Sequence, residues 1–363
     1  MNKHKIGFIL LSNSQNPIPS TRISVLNIIP FLQSENFDVK IIYDPWLADE
    51  TPKLDDGLFS KILKEQFDII YFQKVHGPSV EKLAKKLKTT KIKTIYGVCD
   101  LINCTMTEIT DATITVTDYL KSLYPISLHY KVHVIHDGIE HPEIYKTTYS
   151  DHYGSRTQPL NAILVSSANL DHLPVLKSLP SWLKVTIVGH YPQTHQYFKR
   201  LQAIYWKFTE KKKPLEYLNY LQFLTTSSIS CVAWDQKEVY EFMCNADIGI
   251  IPISTIPNHI PGKTPPSWKI KSENRLTLKM AAGLPVIATP IPAYEPIIFQ
   301  GVNGFLANSQ NEWLNCLEQL RNPQTRETIG KKARQSVIDR FSTKRQAETL
   351  ISLLKELIIA KNH

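Results

Sequence analysis

The sequence predicts an α/β protein of two doubly wound domains, each built on a parallel sheet. Three observations predict it. Apolar runs of strand length recur along the chain, separated by segments with helical spacing. The polar stretch Tyr149–Pro159, with Gly154 and Pro159, interrupts the series as a linker, after which the alternation begins again. The chain has 363 residues, enough for two separate cores. The expected division is residues 1–152, residues 153–341, and a last helix over residues 342–363 that returns to the first domain.

The elements follow in order. Ile6–Leu11 is the first strand, and Ser12–Thr21 is a loop containing Asn16, Pro17 and Pro19. Arg22–Gln33 has Ile23, Leu26, Ile29 and Leu32 at helical spacing, with Ser20 or Thr21 as cap and Pro30 as a kink or early stop. Phe37–Tyr43 is the next strand, and Lys61–Phe67 leads into the strand Asp68–Phe72. Ser79–Leu87 is a helix, Lys93–Val98 and Ala112–Val116 are strands, Tyr119–Tyr124 is helical, and Val132–Ile135 closes the series. The second half opens with the strands Ala162–Ser166 and Leu183–Val188. After the long segment His190–Phe223 come the strand Ser227–Ala233, the helix Val239–Asn245 and the strand Ile248–Ile251. Glu312–Leu320, Thr325–Arg340 and the amphipathic Thr343–Ile359 are helices. Strands alternating with helices predict two Rossmann-like domains.

Composition narrows the class. Hydrophobic residues make up 42% and charged residues 21%, as in ordinary globular proteins. No apolar run approaches the roughly 18 residues of a membrane span. Ile6–Leu11 is short for a signal-peptide core and reads as a strand. The five cysteines show no CxxC spacing, which argues against a metal site or disulfide framework and for a reducing cytoplasm. The net charge of +9 suits a phosphate-bearing partner or a solvated basic surface; nucleic acid is the weakest option, because no nucleic-acid motif is present.

The densest stretch is Trp268–Leu306. Lys269, Lys271 and Arg275 surround Ser272, which is placed to cap a helix over Glu273–Ala282. Leu276, Met280 and Leu278 mark that helix's buried side. Gly283 fits a C′ residue with positive φ, Pro285 follows it, and Val286–Thr289 is a buried strand. A helix N-terminus attracts phosphate, and Lys269, Lys271, Ser272, Asn274 and Arg275 would strengthen that site for a diphosphate.

The order MAAG-x-PVIAT, PAYEPII and G-x-x-GFL resembles the C-terminal domain of the GT-B-fold glycosyltransferases, which use nucleotide sugars. The resemblance is good over roughly residues 230–345. It implies a GT-B fold, with two Rossmann-like domains facing a cleft and the last helix crossing back. It also implies that the start of the MAAG helix faces the donor's phosphates. In the family's register the two donor-binding glutamates would fall at Ile270 and Leu278, so that pair is missing; Glu273 and Glu295 are the nearest acids. Gly189 and His190 fit the place where the family reads the nucleobase, Trp234 is a candidate to line that pocket, and Glu295 is a candidate partner for sugar hydroxyls. The first strand–helix turn, Ser12–Arg22, lacks the glycines of the family's loop, and Ser14 or Arg22 could instead touch acceptor or donor.

Ligands of open α/β sheets sit at C-terminal strand ends. His76, in FQKVHGPS, and Asp100, in YGVCDL, are the two candidates to take a proton from an acceptor hydroxyl, and Lys74 is a candidate contact for phosphate or acceptor. His133 and His136 read as structural or surface residues. No two aspartates stand two positions apart and no HExxH occurs, so no metal cofactor is expected; lysines, Arg275 and helix amides would meet the phosphate charge. Tyr197–Lys213 suits either a helix pair packing its aromatics inward, the favoured reading, or the inner face of an anionic membrane. The expected function is metal-independent transfer of a sugar from a nucleotide diphosphate to a hydroxyl of a glycan or lipid-linked glycan. The alternatives are a sugar-nucleotide epimerase of the same fold and a non-catalytic homologue that binds a partner.

Overall fold

The computed structural model describes residues 3–166, 178–191, 225–255 and 265–359, together with 170, 173, 175, 176, 220, 221 and 223. The segment Tyr197–Lys213 lies outside the described residues. The chain forms two compact units: Met1–Glu140 with Thr264–Asn274 and Arg340–His363, and His141–Lys263 with Arg275–Asp339.

The first unit is a six-stranded sheet of β1 (His4–Ile9), β2 (Phe37–Tyr43), β3 (Ile69–Gln73), β4 (Lys93–Gly97), β5 (Ala112–Thr115) and β6 (Val132–Val134) in the order β2-β1-β3-β4-β5-β6. Every pairing is parallel. Its helices are α1 (Pro19–Ser24), α2 (Ile29–Ser34), α3 (Leu58–Lys64), α4 (Pro78–Lys88), α5 (Cys104–Ile109) and α6 (Asp118–Ser122). Helices cover both faces, so the central strands are largely apolar, and β3 is buried at every position, its terminal Gln73 included.

The single helix expected over Arg22–Gln33 is two helices, α1 and α2, joined by a 3₁₀ turn at Leu26–Ile28. Proline lacks an N–H, so it is tolerated only in a first turn. Pro19 and Pro30 each occupy one, which also moves the first cap from Ser20 or Thr21 to Ile18.

The second unit repeats the plan with β7 (Leu160–Val165), β8 (Leu183–Gly189), β9 (Ile229–Ala233), β10 (Ile248–Ile251), β11 (Val286–Ala288) and β12 (Phe305–Leu306). Their order is β12-β11-β10-β7-β8-β9, again all parallel. The described helices are α7 (Glu238–Asn245), α8 (Asn274–Ala281), α9 (Gln310–Gln319) and α10 (Pro323–Val337). α9 opens with a capping box of Ser309 and Glu312, and Asn322 caps α10. Helix α8 starts at Asn274, one residue later than expected. Leu276 and Met280 are buried as expected, and Gly283 takes φ 80° at its end.

The last helix, α11 (Thr343–Ile359), packs Ala347, Leu350, Leu353 and Leu354 into the first unit's core beside Ile6, Phe8 and Ile69. Among the described residues, no helix is long and apolar enough to cross a membrane.

Candidate functional site

The first unit gathers polar side chains at the C-terminal ends of its strands. β3 runs into Lys74, which is held in the left-handed region at φ 58° with its N–H donating to Gly97 O at 2.8 Å. A lysine gains nothing intrinsic from that conformation, and such backbone strain collects at functional sites. The Lys74 ammonium lies 2.7 Å from Asp100 Oδ1 and 3.1 Å from Glu50 Oε1. Burial works against its charge, but Cys99, Asp100 and Glu50 outweigh burial and its pKa is raised. Lys271 approaches the other oxygen of Asp100 at 4.0 Å. His76 is anchored through its backbone N–H to Glu50 O at 2.7 Å, and its Nδ1 is buried with no hydrogen-bond partner. The structure therefore brings Asp100, Lys74 and Lys271 into one cluster, with His76 sharing their neighbour Glu50.

The ends of β5 and β6 complete the cluster with residues that no local signal joins. His136 Nδ1 lies 2.9 Å from Val116 O and 2.9 Å from Glu273 Oε1. Its ring meets Phe341 edge-on at 5.0 Å. Burial disfavours the charged ring, but Glu273 outweighs it and the His136 pKa is raised. Glu273 is 1% exposed and its Oε2 has no partner. Asp137 beside it is also buried; burial first, then the Glu273 charge, raise its pKa, while a hydrogen bond from Ser272 opposes the rise. The Ser272 hydroxyl, just ahead of α8, hydrogen-bonds Asp137. A cavity of about 20 Å³ lies against Asp137, Tyr71 and Gln346, room for one water.

The loop ahead of α8 carries Lys269 and Lys271, with Lys269 over the Trp268 ring at 5.3 Å. Asn274 and Arg275 form the start of the helix and are half-buried. One turn on, Lys279 is 1% exposed, with Nζ 3.4 Å from Arg275 O. Burial, with Arg275 adding to it, pushes the Lys279 ammonium down to about 7.

Other candidates fall elsewhere. In the second unit Trp234 N–H donates to Gly189 O at 2.7 Å, and the His190 and Trp234 rings stand 6.5 Å apart, so these three do come together at the ends of β8 and β9. Glu295 is exposed in the turns after β11. In the first unit Ser14 is half-buried and donates to Asp44 through both its N–H and its hydroxyl. Arg22 is buried and holds Glu140 at two points, Nε to Oε1 at 2.6 Å and Nη2 to Oε2 at 3.0 Å.

Two six-stranded parallel sheets in doubly wound order define the class, two Rossmann-like domains on one chain. Residues 174–352 match the family model described as glycosyl transferase-like. Among solved structures, a glycosyltransferase from Rickettsia africae is similar with TM-score 0.68 and 14% identity, covering 99% of both chains. HepE from Anabaena, solved with UDP and glucose, gives TM-score 0.65 at 15% identity over 97% of this chain and 100% of its own. Sucrose-phosphate synthase from Thermosynechococcus elongatus gives 0.66 at 11% identity, covering 99% and 100%. No curated protein matches the chain in sequence. The chain has a GT-B fold, as its motifs led one to expect, and residues 174–352 are similar to a glycosyl transferase-like domain.

Proposed function

We propose that this protein moves a hexose from a nucleoside diphosphate to a hydroxyl of a glycan or lipid-linked glycan, with no metal ion. The observation that carries the reading is the basic loop Lys269–Lys271 running into the start of α8, beside the strand-end cluster of the first unit. Free amides of a helix start and nearby cations neutralise a diphosphate without a divalent ion. The HepE structures hold UDP, glucose and UDP-glucose, which favours uracil as the base and glucose as the sugar here.

In the reaction the bond from the sugar's C1 to the diphosphate oxygen breaks and the nucleoside diphosphate leaves with the electron pair. The acceptor oxygen bonds to C1 and gives up its proton. Asp100 is the first candidate to take that proton, standing at a strand end with Lys74 2.7 Å from one of its oxygens and Lys271 4.0 Å from the other. His76 is the second candidate, since its buried Nδ1 has no hydrogen-bond partner among the described residues. Lys269, Lys271, Ser272, Asn274 and Arg275 are assigned to the diphosphate, and Gly189, His190 and Trp234 to the base. Glu295 is assigned to the sugar, and Ser14 and Lys74 to the acceptor side. Arg22, engaged by Glu140, supports this side through structure.

A thermal-shift screen with nucleoside diphosphates in EDTA tests the reading. A ligand selective for the folded state raises the melting temperature by mass action. The expected result is a rise with UDP; no rise with any nucleoside diphosphate would overturn it.

A further inference from the structure

The strand-end cluster holds a charged donor that the reaction above does not use. Two acceptors, Val116 O and Glu273 Oε1, lie 2.9 Å from His136 Nδ1 and fix a proton there. Glu273 is buried and one of its oxygens lacks a partner, so its charge needs a cation against it. His136, 2.9 Å from Glu273 Oε1, is placed to be that cation, while Lys74 and Lys271 face Asp100. Among the described residues the remaining ring N–H, at Nε2, has no acceptor, and the side chain is 31% exposed. A charged N–H with no partner and access to solvent is half of an anion site. The loop that supplies Glu273 also supplies Lys271, two residues earlier, and it enters α8 at the next residue.

We infer that His136 donates its Nε2–H to the diphosphate of the sugar donor, with Glu273 orienting the ring through Nδ1. This rests on the proposed function and adds a phosphate ligand to it. His136 is a binding residue and Glu273 a positioning one. As the C1–O bond breaks, negative charge grows on the leaving diphosphate, and a fixed cationic donor strengthens with it.

The groups around His136 set its titration. Glu273 and Ser272 face the cluster from the loop, Asp137 from its own strand end, Asp100 from the end of β4, and Arg340 with Phe341 from the lead into α11. Glu273 favours the imidazolium and Arg340 opposes it. The folded pKa is raised, so the donor is charged below that value and is lost as pH rises through it.

The test is calorimetric titration of UDP into the full chain in EDTA, from pH 6 to 8.5, for wild type, His136→Gln and Glu273→Gln. The quantity read is the ratio of wild-type to variant affinity, because the terminal phosphate of UDP itself titrates near pH 6. Expected is about a tenfold ratio for His136→Gln at pH 6, falling toward one by pH 8.5. Glu273→Gln should move that fall to lower pH. A ratio that stays at one, or that does not change with pH, overturns the inference while leaving UDP binding intact. Absence of UDP binding by the wild type at every pH overturns the proposed function and this inference with it. Should His136→Gln fail to fold, ¹⁵N-histidine NMR of the wild type decides: the His136 Nε2 resonance must shift at saturating UDP, and an unmoved resonance refutes the contact.

Discussion

Replacing Lys279 with methionine should stabilise this protein. Lys279 is 1% exposed, and its ammonium has one long hydrogen bond, 3.4 Å to Arg275 O. Burial takes its pKa from 10.5 down to about 7, with Arg275 contributing. That gap, at 1.36 kcal/mol per pH unit, corresponds to a cost of about 4 kcal/mol for charging the side chain in the fold at pH 7. Methionine keeps the length and apolar contacts of the stem without the charge. The folded pKa lies below the unfolded one, so the unfolded chain binds more protons between pH 7 and 10.5. Wild-type stability therefore rises with pH across that window, and the advantage of K279M is largest below pH 7 and gone above 10.5. At about 2–4 °C per kcal/mol for a domain of this size, K279M should melt about 10 °C higher at pH 7. Scanning calorimetry at pH 7 and pH 10 reads both effects. A variant that melts at or below the wild type at pH 7, or a difference that does not shrink with pH, refutes the reasoning.

Three further outcomes follow from the same geometry. Arg275→Ala should weaken UDP binding at least about tenfold in isothermal titration, since a charged contact to phosphate is lost; unchanged affinity removes Arg275 from the site. Asp100→Asn should lower kcat about 100-fold with donor KM within about threefold, and His76→Gln is its comparator; if both keep more than half of wild-type kcat, neither is the base. A Cβ on Gly97 would stand 2.0 Å from the Tyr71 hydroxyl oxygen, so Gly97→Ala should cost about 3 kcal/mol in urea denaturation. In a Tyr71→Ala background the same change should cost less than about 1 kcal/mol, and equal costs in both backgrounds would refute the clash.

The parallel sheets were legible because strands buried on both faces leave continuous apolar runs, as in Ile69–Phe72 and Val286–Ala288. Pro30 read as a kink or an early stop, but not as the first turn of a second helix, since sequence does not tell whether a proline ends one helix or begins the next. The basic loop and the start of α8 were readable because cap, cations and C′ glycine are local signals. The His136–Glu273 pair was not, because 137 positions separate its partners and only the sheet brings them together. Lys279 was missed for a related reason. A lysine is ordinarily assigned to solvent, yet it stands three residues after Leu276 and just before Met280, on a helix buried around most of its circumference.

The central claim is donor use without a metal. The most direct measurement is release of UDP from UDP-glucose by the purified chain in excess EDTA, with a glycan acceptor pool present. The account predicts turnover in EDTA equal to that in added magnesium or manganese, and reduced at least about tenfold in Arg275→Ala at subsaturating donor. Turnover that appears only with the divalent ion, or that survives Arg275→Ala undiminished, contradicts it.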